Sequence, residues 1–142
     1  MDQLLKDMAD IRALIMRYTI NGDRGKVDVL ASCFASDGVL KYPGNQGTGP
    51  DGVFKALTSG AANPARTFIR HNITSSEVLM DDSGWTATGR TYFFVISDNG
   101  PDHSGVYVDK YRREDGQWKI AHRDVRIDWQ AETSLYGPMV TR

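Results

Sequence analysis

The sequence predicts an α+β fold in which a curved antiparallel sheet forms a cone around N-terminal helices. Two observations predict it. Apolar residues near the start of the chain repeat every three or four positions, as they do on one side of a helix. From His71 onward, four long stretches of strand character are separated by short polar turns that contain glycine. A long sheet of this kind twists and curls, so the helices can fill its concave side.

The helical half comes first. The apolar stripe of the first helix consists of Leu4, Met8, Ile11, Ile15 and Tyr18, widened by Leu5 and Leu14. Asn21-Gly22-Asp23 is predicted to end this helix, because glycine readily adopts the left-handed conformation. A second helix is predicted over 27–33 and a short strand over 39–42. After a glycine-rich loop, Gly49-Pro50 begins a third helix, since proline is well accommodated in a first turn. The predicted buried side of that helix holds Val53, Phe54 and Leu57.

The second half is predicted to be a four-stranded meander. Its strands are expected over 71–80, 85–97, 104–113 and 117–129, and the short turns between them imply antiparallel neighbours. In the fourth strand the apolar face changes sides near His122-Arg123. This change indicates either a bulge or a crossing from core to rim, and both bring a cation close to an apolar lining. The tail, 131–142, is predicted to be irregular and could pack on a neighbouring subunit.

Composition and charge exclude several classes of protein. The 17 basic and 18 acidic residues give a net charge of −1, whereas nucleic-acid-binding domains usually carry a basic surface. No apolar run is long enough to cross a membrane, and charges interrupt the region where a secretion signal would be apolar. We therefore expect one cytoplasmic domain spanning 1–142, with neither nucleic acid nor membrane as partner.

Motifs for cofactors and metals do not stand out. The chain has no phosphate-binding loop that ends in Gly-Lys-Ser/Thr, and its glycine-rich loop over 44–49 is interpreted as a turn. The three histidines lie at positions 71, 103 and 122, without the spacing of a zinc site. The single cysteine, Cys33, excludes an internal disulfide framework. We expect neither a cofactor nor a metal ion.

Asp23 and His71 are the first candidate catalytic residues. His71 opens the first long strand, and Asp23 ends the first helix 48 positions earlier. An aspartate bound to one ring nitrogen fixes the imidazole tautomer and stabilises the imidazolium that forms after proton capture. Such a pair can take a proton from carbon beside an electron-withdrawing group. Each residue also has a purely structural interpretation, as a half-exposed strand histidine and as a helix-capping aspartate.

Several stretches of the chain match a known family. They are Arg17–Asp23, the helix start at 47–53, Ile69–Asn72, and the strand segments 107–113 and 115–123. On these residues the chain resembles SnoaL-like members of the nuclear transport factor 2-like superfamily. Within it, the chain is similar to hexachlorocyclohexane dehydrochlorinase, scytalone dehydratase and bile-acid dehydratase, which eliminate without a cofactor by means of a His–Asp dyad.

The resemblance implies a cofactor-independent lyase or isomerase, dehydratase-like, that acts on a small hydrophobic cyclic molecule. It implies that Asp23 and His71 form the dyad, that Arg123 matches a pocket arginine, and that Tyr18 matches a pocket tyrosine. Tyr18 stands where the dehydrochlorinase has lysine, and His103 is a loose counterpart of the second histidine of the scytalone enzyme. The aromatic residues expected to line the substrate pocket are Tyr42, Phe54, Phe68, Phe94, Tyr107 and Trp129.

Assembly and two other functions remain open at this point. Relatives form dimers or trimers, and an exposed sheet face that carries Val106 and Val108 would need a cover, so we expect a homodimer or homotrimer. A non-catalytic module that binds a ligand or assembles subunits would show the same family pattern. An epoxide hydrolase of this fold would need an Asp–Arg–Asp set, for which the sequence offers Arg123 with Asp109 or Asp124.

Overall fold

A computed structural model describes residues 2–140 as three helices and six strands. The helices are α1 (Gln3–Asp23), α2 (Val27–Ala31) and α3 (Gly49–Leu57). The strands are β1 (Phe34–Tyr42), β2 (Asn45–Thr48), β3 (Ile69–Met80), β4 (Thr86–Ser97), β5 (Gly100–Glu114) and β6 (Gln117–Gln130). Within this part of the chain, no helix combines the length and apolarity needed to span a membrane.

One curved sheet, in the order β2-β1-β6-β5-β4-β3, wraps around α1. β3 to β6 form the predicted antiparallel meander, whereas β1 pairs with β6 in parallel, so the sheet is mixed. Register shifts interrupt every strand pairing except β1–β2. Each shift bends the sheet locally, because an extra residue on one strand increases its twist. The α+β cone that the sequence predicts is therefore confirmed.

Helix α1 includes Asn21-Gly22-Asp23, the segment that was predicted to end it. The helix continues through Asp23, and the chain turns at Gly25, whose φ is +71°. Lys26 N donates to Asn21 O and Gly25 N donates to Gly22 O, which is the pairing of a Schellman cap. Asp23 is consequently a residue of the last helical turn rather than of a loop.

The first turn of α1 is exposed to solvent up to Asp7. Asp7 is buried, and its Oδ1 accepts hydrogen bonds from the Arg113 guanidinium and from Trp118 Nε1, at either side of the β5–β6 turn. Leu4 and Leu5, predicted to belong to the buried stripe, precede this contact and are exposed. The stripe that enters the core begins at Ile11.

Residues 44–52 are more ordered than a glycine-rich loop. β2 pairs with the end of β1 through a turn at Gly44, whose φ is +83°. Gly47, Gly49 and Gly52 have the Gly-x-Gly-x-x-Gly spacing. Close packing explains why position 47 requires glycine. A Cβ at Gly47 would lie 2.3 Å from the carbonyl oxygen of Gly52. In α3, Val53 is fully buried as predicted, whereas Phe54 is turned outward and 43% exposed.

A bulge in β6 directs Arg123 into the cone. Tyr111 pairs with Ile120 and Lys110 pairs with His122, so Ala121 is the extra residue. Ile120 faces inward before the bulge, and Arg123 faces inward after it, although regular alternation would separate them. Of the two explanations that the sequence left open, the bulge is confirmed.

The C-terminal segment, residues 131–139, is irregular and packs on its own chain. Ala131 N donates to Asp102 O, Met139 N donates to Gln130 Oε1, and the Met139 side chain packs against the core. The predicted irregular conformation is confirmed for this segment, and its packing on a neighbouring subunit stays a prediction. Residues 141–142 of the predicted tail lie outside the described part.

Candidate active site

Asp23 and His71 are in direct contact. Asp23 Oδ1 lies 2.6 Å from His71 Nδ1, and Asp23 Oδ2 accepts the backbone N–H of His71 at 2.8 Å. The Asp23 side chain is 6% exposed and that of His71 is 24% exposed. An ionised carboxylate only accepts hydrogen bonds, so Nδ1 of His71 carries the proton and Nε2 is the nitrogen left for chemistry. Both carboxylate oxygens are engaged, which fixes the orientation of the imidazole.

A second imidazole lies near the first. His71 pairs with Val95 on β4, which pairs with His103 on β5, so the three side chains share the concave face. The two imidazole rings are 6.4 Å apart and nearly perpendicular. The ring of Phe93, two residues before Val95 on the same face of β4, lies 5.8 Å from the His71 ring. From the sequence, His103 was predicted only as a loose counterpart of the second histidine of the scytalone enzyme.

Arg123 forms a buried ion pair at a second polar centre. Its Nε and Nη2 donate to the two carboxylate oxygens of Asp109 at 2.9 and 2.8 Å, and Tyr111 Oη donates to Asp109 Oδ2 at 2.5 Å. Arg123 and Asp109 are both inaccessible to solvent. Burial disfavours the charge, but the Asp109 carboxylate keeps the pKa of Arg123 well above its ordinary value. Arg123 Nη1 is the one fully buried side-chain N or O in residues 2–140 that lacks a hydrogen-bond partner.

Two tyrosines join this centre to the dyad. The Arg123 guanidinium lies 4.2 Å from the ring centre of Tyr18 and 4.1 Å from that of Tyr107. Tyr107 stacks on Phe93 at 4.4 Å, and Phe93 in turn neighbours His71. Burial raises the pKa of both tyrosines, so their hydroxyls remain protonated donors at neutral pH. The predicted site residues Asp23, His71, Tyr18, Tyr107 and Arg123 thus belong to one connected cluster.

An open cavity lies between the end of α3 and the C-terminal segment. Its volume is about 640 Å³, and it is lined by Tyr42, by the end of α3, by residues 59–63 with Arg66, and by residues 134–137. Tyr136 connects this cavity to the interior, because its ring lies 5.0 Å from that of His103. The Arg66 guanidinium lies 4.2 Å from the centre of the Tyr136 ring. We call this space the mouth cavity.

The remaining aromatic candidates lie elsewhere. Phe54 on α3 and Phe68 before β3 are 43% and 41% exposed. Phe94 and Trp129 both pair with Ser104, on the face of the sheet opposite His103, and are 42% and 48% exposed. The physical reason is alternation: Phe93 occupies the inner face, so its neighbour Phe94 faces outward.

The structure also locates the residues of two other predictions, the Asp–Arg–Asp set and the exposed sheet face that carries Val106. Asp124 accepts from Arg126 Nε at 3.1 Å, while Arg123 binds Asp109, so the structure does not bring Asp109, Arg123 and Asp124 together. Val106, predicted to lie on an exposed sheet face, is on the outer face but buried between its strand partners. In residues 2–140 no group of three His, Cys, Asp or Glu side chains is arranged to hold a metal ion.

The sequence profile of the SnoaL-like domain matches residues 3–124. None of the curated proteins compared with the chain matches it in sequence. Among solved structures, a protein assigned as a scytalone dehydratase from Novosphingobium aromaticivorans is 23% identical, with a TM-score of 0.80 over 98% of this chain and 94% of that one. A hexachlorocyclohexane dehydrochlorinase from Novosphingobium barchaimii is 21% identical, with a TM-score of 0.77 over 96% and 98%.

A protein of unknown function from Mycobacterium tuberculosis is 26% identical, with a TM-score of 0.76 over 96% of this chain and 80% of that one. At 21–23% identity, the likeness to the two enzymes shows a shared fold. Activity must be argued from the site itself, because one fold carries many functions.

Proposed function

The chain belongs to the SnoaL-like domain family, and from that premise we propose that it is a cofactor-independent lyase or isomerase, dehydratase-like, acting on a small hydrophobic cyclic substrate. The observation that carries the proposal is the 2.6 Å contact between Asp23 Oδ1 and His71 Nδ1. Two of the solved structures it resembles are described as a dehydratase and a dehydrochlorinase, and both names denote eliminations.

The proposed base is His71 Nε2. With Nδ1–H held by Asp23, this nitrogen takes a proton from carbon adjacent to an electron-withdrawing group. The C–H electron pair becomes a C=C bond, and the leaving group on the next carbon departs with its own bonding pair. The imidazolium then gives its proton to a departing hydroxide, to solvent, or to another carbon in an isomerisation. Asp23 stabilises the imidazolium throughout because it is buried and oriented by two hydrogen bonds.

The proposed electrophilic centre is Arg123 with Tyr18. The salt bridge to Asp109 already neutralises most of the Arg123 charge, so its contribution is directional rather than a free positive charge. The unpartnered Nη1–H and the Tyr18 hydroxyl are donors that can stabilise an oxygen or halide on which charge grows. Donors aimed at developing charge in a dry site stabilise a transition state strongly.

The mouth cavity is the proposed entrance. Its volume lies within the range of about 300–1,000 Å³ typical of small-molecule sites. Tyr107, Phe93 and Tyr18 supply an aromatic interior next to the dyad. This composition favours an apolar, ring-shaped substrate.

Asp23→Asn tests the proposal. The purified chain is incubated in D₂O with a panel of cyclic β-hydroxy and β-chloro ketones, and NMR follows deuterium uptake at carbon and loss of the leaving group. We expect the wild type to catalyse one or both, and Asp23→Asn to be slower by about 10²-fold or more, because an amide does not stabilise the imidazolium.

His122→Ala is the matched control for this experiment. His122 pairs with Lys110 on the outer face of the sheet, and its replacement should leave the rate unchanged. Equal rates for the wild type and Asp23→Asn on a compound that the wild type turns over would contradict the dyad. Binding of panel compounds without deuterium uptake or elimination would instead support a ligand-binding module.

A subunit-assembly role is a second candidate, and the outer sheet face favours it. Four large apolar side chains are exposed there: Leu79, Tyr92, Phe94 and Trp129. Exposed apolar surface of this kind marks an interaction site. We propose that this face joins copies of the chain into a homodimer or homotrimer.

Phe94→Glu tests the assembly. Analytical ultracentrifugation should show a dimer or trimer for the wild type and a monomer for Phe94→Glu, because a buried unpaired carboxylate is costly. Leu5→Glu is the control, since Leu5 is also exposed but lies at the start of α1. A monomeric wild type, or equal dissociation of both variants, would rule out this face as the interface.

A further inference from the structure

Asp102 and His103 are adjacent in sequence, yet both side chains are buried on the concave side. A regular strand forbids this, because neighbouring side chains point to opposite faces. The register explains it: Val95 pairs with His103 and Ile96 pairs with Pro101, which leaves Asp102 as the extra residue of a bulge in β5. The bulge therefore places a carboxylate beside an imidazole within a single strand.

The Asp102 carboxylate accepts four hydrogen bonds from three parts of the fold. Its Oδ1 accepts from His103 Nδ1 at 2.6 Å and from Ser134 Oγ at 2.7 Å. Its Oδ2 accepts from Leu135 N at 2.9 Å and from Ser97 Oγ at 3.3 Å. Two of the four donors belong to the C-terminal segment, so one carboxylate holds both that segment and the second imidazole.

Several charged and titratable groups surround His103. They are Asp102 on its own strand, His71 on β3, Arg66 ahead of β3, and Tyr136 of the C-terminal segment, and Asp23 follows behind His71. Burial lowers the pKa of His103, and the hydrogen bond to Asp102 opposes this only in part. Burial raises the pKa of Asp102, but the hydrogen bonds from His103, Leu135 and Ser134 outweigh it and lower the pKa. In the closed structure, His103 is accordingly neutral, with its proton on Nδ1.

We propose that Asp102 is a positioning residue that couples closure of the C-terminal segment to the protonation state of His103. When the segment is closed, Ser134 and Leu135 share the Asp102 charge, and Tyr136 shields His103 from water. When it opens, both donors leave Asp102 and water reaches the imidazole. Each change favours the imidazolium, because the carboxylate attracts the proton more strongly and the charged form is better solvated.

The coupling is reciprocal. If opening favours the charged imidazole, protonation of His103 must favour opening by the same free energy. One consequence rests on the proposed function: closure of the segment over a substrate would keep His103 neutral beside His71. The coupling itself exists without substrate, so it can be measured on the free protein.

NMR titration of the imidazoles tests the coupling. The chain has three histidines, so the ring signals of ¹⁵N-labelled protein are few, and His71→Gln and His122→Gln assign them. Ser134→Ala should raise the titration midpoint of His103 by about half a unit, the effect of losing one hydrogen bond of about 0.7 kcal/mol. The midpoint of His122, on the outer face, should not move. Thr133→Ala is the matched control, because its exposed side chain lies in the same segment and does not bond to Asp102.

Asp102→Asn supplies the second measurement. Amide hydrogen exchange at Leu135 should speed up by about tenfold or more, because the charged acceptor of that N–H is lost. Equal His103 midpoints in Ser134→Ala and Thr133→Ala would overturn the proposal, as would unchanged exchange at Leu135 in Asp102→Asn. Neither readout requires turnover, so failure here is distinguishable from failure of the proposed catalytic function.

Discussion

Replacement of His71 by alanine is expected to lower kcat by about 10³-fold, within the range that a positioned general base contributes. Its Nε2 is the only nitrogen of the proposed dyad free to receive the substrate proton, since Nδ1 is bound to Asp23. We expect a loss of stability of about 1–3 kcal/mol, because the buried Asp23 Oδ1 loses its partner while the backbone N–H of residue 71 still donates to Oδ2. The measurement is steady-state elimination on a panel compound that the wild type turns over, together with urea unfolding.

Rescue by imidazole and a control variant test whether the loss of activity is specific to the base at position 71. Added imidazole should restore part of the activity of His71→Ala, because the base is supplied in solution to a site that otherwise keeps its shape. His122→Ala removes the same side chain from the outer face and should retain full activity. Full activity in His71→Ala itself would end the assignment of His71 as the base, and the family fold would remain without this chemistry.

Asp109→Ala is expected to destabilise the chain by about 3–5 kcal/mol. The substitution leaves the Arg123 guanidinium buried with no counter-charge, and an uncompensated buried charge is strongly unfavourable. It also removes the acceptor of the Tyr111 hydroxyl, which is buried in the same cluster. The free energy of unfolding measured in urea gives the loss directly.

The double variant Asp109→Leu/Arg123→Met distinguishes charge from packing. Replacing both ions by apolar side chains of similar volume should recover most of the lost stability, since apolar replacement of a buried pair is often neutral or favourable. The same double variant should lose elimination activity, because Arg123 Nη1 is a proposed donor to substrate. Equal free energies of unfolding for Asp109→Ala and the wild type would show that the Arg123–Asp109 ion pair does not stabilise the fold.

The sequence predicted the larger elements because their signals are local. A helical apolar stripe, proline at the start of α3 and glycine-containing turns each act within a few residues. The predictions were wrong where contacts between different elements determine the structure. β5 begins at Gly100 rather than 104, because the turn uses only the two residues before it. Phe54 is exposed since one side of α3, carrying Val53, meets the sheet.

The candidate site was predictable to different degrees. The family resemblance identified Asp23, His71, Arg123 and Tyr18, and the structure brings them into one connected cluster. Asp102 was missed because it lies in a stretch of Asn, Gly and Pro that indicates a turn. The aromatic candidates were chosen by residue type, and type does not tell on which face of a curved sheet a side chain lies.

By itself, the sequence determined the three helices, the four-stranded meander and the resemblance to the family, since each rests on patterns between near neighbours, whereas β2 and the first half of β1 were missed. Tertiary structure alone decided which side chains meet inside the cone. The bulges at Ala121 and Asp102 reverse the alternation of β6 and β5, and so turn Arg123 and the Asp102–His103 pair inward. A bulge follows from how one strand fits the next, so pairing across the sheet, rather than any local signal, fixed the composition of the site.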